Sequence, residues 1–308
     1  MPTRTPAAAI ASVVAGAVLG LAPWAPATAF AQAPADGSGG DHAVFVQTDD
    51  PAGNAVVAYD RADDGSLTWS ATYATGGLGG QLAGSVVDHL ASQGSLAYDP
   101  AGPALFAVNA GSDSVSVFAV HGDRLALRQV LSSGGTFPVS VAVSRSLVYV
   151  LDAGSGGSIT GYRLAGGTLH PIPGSSRPLG LTIPGDASQF THTPGQVAFT
   201  PDGAQLLVTT KAASNAVDVF ALDRDGRPSA APVVNGEPGA VPFALGFDGA
   251  GRVLVAEAGS EALASFSLAS DGVLTAIDTA GTGQPATCWI ATAQGYAFTS
   301  NAGGPSLT

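Results

Sequence analysis

One phrase recurs five times along this chain and constrains its fold more than any other feature. It reads apolar strand ending on a polar residue, small-residue turn, apolar strand, Gly/Asp turn. Leu105-Phe-Ala-Val-Asn109 leads through Ala-Gly-Ser-Asp-Ser into Val115-Ser-Val-Phe118. Leu206-Leu-Val-Thr-Thr-Lys211 leads through Ala-Ala-Ser-Asn-Ala into Val217-Asp-Val-Phe220. Leu147-Val-Tyr-Val-Leu-Asp152, Val253-Leu-Val-Ala-Glu257 and Tyr296-Ala-Phe-Thr-Ser-Asn301 open the same phrase. The starts at 105, 147, 206, 253 and 296 are spaced by 42, 59, 47 and 43 residues. A repeat of about 40–50 residues built from short strands marks the blades of a β-propeller. The expected fold class is all-β, a propeller of four-stranded antiparallel blades.

Blade two reads in full from the sequence. Its strands are expected at 95–99, 104–109, 115–120 and 125–131, with Asp99-Pro-Ala-Gly102 as the first turn. Thr200-Pro-Asp-Gly203 and Asp248-Gly-Ala-Gly251 repeat that turn, and Asp64-Gly65, Gly122-Asp123, Asp225-Gly226 and Asp271-Gly272 mark the outer hairpins. Gly, Pro and Asp serve backbone geometry at such places. No D-x-D-x-D-G spacing accompanies them, so they do not read as calcium ligands.

Residues 1–31 read as a secretory signal peptide. Arg4 precedes a small-residue apolar run from Ala7 to Ala22, and Ala27-Thr-Ala29 and Ala29-Phe-Ala31 offer cleavage sites. The alternative, an uncleaved anchor, needs a longer uninterrupted run than Pro23 and Pro26 leave. Residues 32–42 are expected to be a flexible linker, and 43–308 the propeller domain. Blade one begins at Ala43-Val-Phe-Val-Gln47 in the phase of a second strand, and the chain stops at Thr308 within blade six. About five and a half blades are therefore expected, with a C-terminal truncation. The localisation implied is secreted.

The formal charge is −12, and removing Arg4 with the leader makes it −13. Lys211 is the only lysine. Such a chain repels nucleic acid and anionic membranes. No partner is expected beyond a small-molecule ligand at the channel mouth, with no nucleic acid, no membrane after leader cleavage, and a monomeric state. Cys288 is the single cysteine. It lies in the apolar run Thr287-Cys-Trp-Ile-Ala and reads as a buried, inert thiol rather than a nucleophile.

Two connections exceed what a blade needs: Thr75 to Gly94, with a short helical stretch expected at Val86-Val-Asp-His-Leu90, and Pro178 to Thr193. Long loops on a rigid scaffold concentrate binding residues. In an antiparallel meander, the residue ending strand two and the loop entering strand one share a face. Asn109, Asp152, Lys211, Glu257 and Asn301 are thereby expected in an arc at the channel mouth. His192, Gln196 and Arg177 are expected on loops leading to the same face. The plainer reading treats these polar strand ends as turn formers and Lys211 with Glu257 as an ion pair.

The phrases resemble the seven-bladed β-propeller lactonase family, 6-phosphogluconolactonase-like and carboxymuconate lactonizing enzyme-like, in its exported actinobacterial branch. Thr75-Gly-Gly, Ser92-Gln-Gly94, Val108-Asn-Ala-Gly-Ser112, Pro138-Val-Ser-Val141, Ser176-Arg-Pro178, Phe199-Thr-Pro-Asp-Gly203, Pro242-Phe243, Ala286-Thr-Cys-Trp289 and Thr299-Ser-Asn-Ala-Gly303 carry the resemblance. It implies seven blades and a lactone hydrolase of carbohydrate metabolism. Where the better-known enzymes carry Pro-Arg-His, this chain reads Val241-Pro-Phe243. Glu257 matches the family's strand-ending glutamate, and His192, in Phe190-Thr-His-Thr-Pro194, matches its histidine-bearing approach.

A lactonase needs a base for water and a site for the developing oxyanion. Glu257 or His192 can serve as base and Lys211 as the cation. Asn109, Asp152, Asn301, Arg177 and Gln196 are the candidate substrate-binding residues. No G-x-S-x-G elbow appears, and the histidines show no metal-ligand spacing. No cofactor or metal is expected. The expected substrate is a small non-phosphorylated lactone. The rival reading is a non-catalytic propeller that binds a peptide, a saccharide or a cell-wall component.

Overall fold

The computed structural model describes residues 42–308. The expected leader, and all of the expected linker but its last residue, lie outside the described residues. Those residues fold as a β-propeller of six antiparallel sheets. Blade one holds Ala43–Gln47, Ala55–Arg61 and Leu67–Ala74. Blade two holds Leu96–Asp99, Ala104–Asn109, Ser114–His121 and Arg124–Ser132, close to the spans read from sequence. Blade three holds Pro138–Ser144, Leu147–Asp152, Ser158–Ala165 and Thr168–Pro171, with Arg177–Pro178 paired to its third strand. Blade four holds Gln196–Phe199, Gln205–Thr209, Ala216–Ala221 and Val233–Gly236. Blade five holds Pro242–Phe247, Val253–Glu257, Ala262–Leu268 and Leu274–Gly281. Blade six holds Thr287–Ala293, Tyr296–Asn301 and Ser306–Leu307. The described residues thus form six sheets where the family resemblance implied seven blades.

Burial explains the wording of the repeat. Every residue of Ala104–Asn109, Gln205–Thr209 and Val253–Glu257 is buried, because neighbouring blades cover both faces of a second strand. A strand covered on both faces reads as a continuous apolar run rather than an alternation. The outermost strand of blade five, Leu274–Gly281, is exposed at nearly every position, and Thr275, Asp278 and Thr279 break its apolar run.

The small-residue turn has its own physical cause. Phe137, Val241 and Ala286 each precede a first strand with φ of 58, 51 and 54°. Each is followed by a register shift, at Pro138/Ser140, Pro242/Ala244 and Thr287/Trp289. Their carbonyls accept from Ala153, Ala258 and Ala302 at 2.8, 3.1 and 2.8 Å. Gly154 and Gly259 then approach the preceding loop so closely that a Cβ would collide with the Thr136 side chain or the Gly239 carbonyl. The polar-Ala-Gly triplets are thus the imprint of one bulge-and-turn device.

Two local expectations are corrected. Residues 86–90 fold as bends and turns, not as a helix. The short helix lies instead in the second long connection, at Gln189–His192.

Candidate functional site

The strand-ending residues do gather at one end of their sheets, but the fold changes what they can do. Asn109 is fully buried: its amide donates to the Ser116 hydroxyl at 2.8 Å and its oxygen accepts from Asn54 at 2.9 Å. Asn301 donates to the Ser306 carbonyl at 3.3 Å and accepts from the Thr287 hydroxyl at 3.0 Å. Both tie their second strand to its neighbours. Asp152 takes the same place in blade three and is fully buried, yet neither carboxylate oxygen meets a hydrogen-bond partner. Burial pushes its pKa up to about 7; the Ser133 hydroxyl nearby favours the anion and Asp113 disfavours it. Glu257 is buried with its pKa raised by burial, and Ser260 works the other way. Glu257 in turn helps to raise the pKa of Glu237, after burial.

Lys211 is the exception, and its place corrects the sequence reading by one residue. In the other blades the strand-ending residue pairs with the start of strand three: Asn109 with Ser114, Asp152 with Ser158, Glu257 with Ala262 and Asn301 with Ser306. In blade four that residue is Thr210, whose N–H donates to Ala216 at 3.1 Å. Lys211 therefore stands where the repeat puts Ala110, Ala153, Ala258 and Ala302. A shift of one residue turns a side chain to the other face. The lysine, with φ of 47°, points into the protein where other blades carry a methyl group.

Lys211 is 1% exposed. Its Nζ donates to the Ala91 carbonyl at 2.6 Å, the Phe190 carbonyl at 2.6 Å and the Thr193 hydroxyl at 2.9 Å, and lies 5.3 Å from the Phe243 ring centroid. Three partners saturate an ammonium. Burial lowers its pKa to about 7, against the pull of Asp88 and Cys288. Among the described residues Lys211 forms no ion pair with Glu257; the ion pairs are Arg227 with Asp223 and Asp225, and Arg252 with Asp248.

The remaining candidates make no hydrogen bond to that ammonium. His192 Nδ1 lies 3.0 Å from the Ser188 carbonyl and 2.9 Å from the Thr191 hydroxyl. Arg177 spends its guanidinium on the carbonyls of Gly174, Ser176, Pro228 and Ser229, clipping blade three to blade four. Gln196 lies on a strand, not a loop, and accepts from the Leu245 N–H of blade five at 2.6 Å.

What the fold assembles is a cleft of about 240 Å³ between residues 85–91 and blades five and six, walled by Val87, Phe190, Phe243, Cys288 and Trp289. Asp88 is the one charged side chain in its lining. Lys211 lies directly behind it, bonded to the backbone of the lining residues Ala91 and Phe190. Burial pushes the Cys288 thiol up to about 11, so it stays protonated. Gln93 holds the loop in place: its N–H donates to the Gly195 carbonyl at 3.0 Å, its side-chain oxygen accepts from Ile290 at 2.9 Å and its carbonyl accepts from Ser140 at 2.7 Å. Neither Asp88 nor Gln93 stands out in the sequence as a site residue, although the length of the Thr75–Gly94 connection points to the segment. Among the described residues no three His, Cys, Asp or Glu side chains converge as metal ligands.

No protein-family model matches the chain, and no curated protein matches it. Solved structures do. A Bacteroides uniformis protein provisionally assigned as a 6-phosphogluconolactonase superposes with a TM-score of 0.62 at 21% identity, covering 80% of this chain and 71% of that one. The Pseudomonas aeruginosa periplasmic gluconolactonase superposes with a TM-score of 0.57 at 21% identity, covering 77% and 67%. Virginiamycin B lyase of Staphylococcus aureus gives 0.52 at 11% identity, covering 85% and 78%. The chain spans 65% to 71% of the length of the lactonase-like structures it matches. At these identities the likeness is one of fold: a β-propeller similar to those of 6-phosphogluconolactonase-like proteins.

Proposed function

We propose that this protein is an exported, lactonase-like hydrolase that opens a small non-phosphorylated lactone in the cleft over Phe243 and Trp289. The observation that carries the reading is the pairing of a concave apolar site with one carboxylate, Asp88, in its lining and one buried amine, Lys211, behind it. Ring opening needs a base to take a proton from water and a positive field at the carbonyl oxygen. Asp88 can act as the base from the cleft lining, in the role the sequence reading gave to Glu257 or His192, neither of which lines the cleft. Lys211 supplies the field at one remove, its own donors being engaged. The lactonase-like fold neighbours favour this reaction class among those a propeller hosts.

The non-phosphorylated substrate is inferred from charge. Phosphate recognition draws on Arg or Lys donors, and the charged group lining the cleft is an acid. Export rests on the leader read in residues 1–31.

A second reading, a non-catalytic binding propeller for a peptide, a saccharide or a cell-wall component, is favoured by one observation. The three donors of Lys211 are all spent, and none is left to touch a substrate oxygen. Incubating the full-length protein with a panel of lactones and following acid release in a pH-stat separates the two. Opening of a neutral lactone, lost in Asp88→Asn, supports the hydrolase; a panel that stays intact leaves the binding propeller.

A further inference from the structure

The cleft carries more information than its reaction class, because nearly all of its polar groups already bond within the protein. The carboxylate of Asp88 accepts from the Leu90 N–H at 3.0 Å and the Ser92 N–H at 2.9 Å. The Ser85 hydroxyl donates to the Leu82 carbonyl at 2.8 Å. The Trp289 indole donates to the Ser92 carbonyl at 2.9 Å. The backbone N–H groups of Ala302 and Gly303 are bonded to Ala286 and Pro285 at 2.8 and 3.1 Å. Apart from the lone pairs left on the Asp88 carboxylate, which the reaction itself needs, what remains open to a ligand is apolar: the Phe243 and Trp289 rings, packed edge to face with centroids 5.5 Å apart, the Phe190 ring, and Val86 and Val87 at the rim. Val86 and Val87 are 87% and 65% exposed, so this apolar surface reaches solvent.

A polyhydroxylated sugar lactone needs a directional partner for most of its hydroxyls, and a hydroxyl desolvated without one costs about 1–3 kcal/mol. An alkyl or aryl substituent needs only apolar area, which stabilises by roughly 25 cal/mol per Å² buried. We infer that the cleft selects an uncharged lactone bearing an alkyl or aryl group, and discriminates against sugar lactones. The volume, about 240 Å³, lies below the roughly 300–1,000 Å³ usual for drug-sized ligands and suits a small lactone of one or two rings. The negative charge of Asp88 excludes anions. This inference rests on the lactone reading for the reacting group, and on the committed polar atoms for the rest.

Isothermal titration of the intact protein with δ-decalactone, dihydrocoumarin and glucono-δ-lactone tests it. The first two should bind at least about tenfold more tightly than the third. Val87→Asp, at an exposed rim position, should erase that preference without moving the melting temperature. Equal or tighter binding of glucono-δ-lactone, binding of none of the three, or affinities indifferent to Val87→Asp would overturn the inference. Hydrolysis is read separately. Lactones that bind but are not opened sink the catalytic reading and leave the selectivity standing. A lactone opened with kcat/KM indifferent to Val87→Asp does the reverse.

Discussion

The Nζ of Lys211 donates to the carbonyl oxygen of Ala91 at 2.6 Å, across 120 residues of sequence. Through that bond and its partner to the Phe190 carbonyl, one side chain holds together the two long connections that meet over blade four. The lysine is a clamp first, and whatever it contributes to chemistry it contributes from inside the fold.

Lys211→Ala restores the residue that the repeat carries in the other blades, strips the Ala91 carbonyl of its side-chain donor and leaves the Phe190 carbonyl only the Thr193 hydroxyl at 3.3 Å. An unsatisfied buried acceptor costs about 1–3 kcal/mol. The loss falls on the two connections rather than on the blades. Hydrogen exchange should speed up in residues 86–92 and 189–193 while the strands of blades two and three keep their protection. Unchanged exchange in both segments would show that Lys211 holds nothing.

The same amine sets one limb of the pH profile. Its folded pKa, lowered to about 7 from 10.5, means that the unfolded chain binds the extra proton between those values. Stability therefore rises with pH from about 7 towards 10 as the buried amine loses its charge. Thermal melts across that range should show the rise in the parent protein and its absence in Lys211→Ala.

Asp152 sets the opposing limb. Asn109 and Asn301, in the equivalent places, donate from their amides; a carboxylate cannot. The structure meets this by favouring the protonated acid, with a pKa near 7 against an ordinary 3.8. A raised carboxyl pKa contributes stability that is complete below about pH 4 and lost as pH climbs through 7. At about 1.4 kcal/mol per unit the swing is at most roughly 4 kcal/mol. Asp152→Asn should raise the melting temperature at pH 8, leave it nearly unchanged at pH 4, and flatten the profile between. A variant less stable than the parent at pH 8 would show that the carboxylate finds a partner as an anion.

Sequence alone reveals the blades because second strands, covered on both faces, spell continuous apolar runs, and because Gly and Asp punctuate most hairpins. The arc of strand ends is legible for Asn109, Asp152, Glu257 and Asn301, where the last polar residue stands directly before Ala-Gly. It slips at Lys211 because Ala-Ala, not Ala-Gly, follows it, so nothing after Leu206-Leu-Val-Thr-Thr-Lys211 says which of its last three polar residues ends the strand. The cleft is not legible at all. Asp88, Phe190, Phe243 and Trp289 are far apart in the chain and meet only because residues 85–93 fold back over blades five and six, which no local pattern records.

Gln93 makes that fold-back testable. Its side-chain oxygen accepts from the Ile290 N–H of blade six at 2.9 Å, and its amide reaches the Leu245 carbonyl of blade five at 3.4 Å. Gln93→Ala leaves the Ile290 N–H without its partner, at about 1–3 kcal/mol, and removes the side-chain ties of the loop to blades five and six, leaving the Trp289 bond to Ser92. Binding of δ-decalactone should weaken and exchange at Ile290 should quicken. Unaltered binding would mean that the loop is held by its backbone alone.

The assignment of the base separates the cleft from the arc. Asp88 lines the cleft; Glu257 does not and lies buried at the end of its own strand, facing the acidic neighbourhood of Glu237. If hydrolysis occurs in the cleft, Asp88→Asn should lower kcat by on the order of 10²-fold, the usual loss of a general base. Asn keeps one side-chain oxygen to accept from the Leu90 N–H, so the turn should survive and the melting temperature should fall little. Glu257→Gln should leave kcat within about threefold and, because burial disfavours the charge of this carboxylate, should not destabilise the protein at neutral pH. The reverse pattern, with turnover lost in Glu257→Gln and kept in Asp88→Asn, would move the reaction out of the cleft and back to the strand ends of the arc.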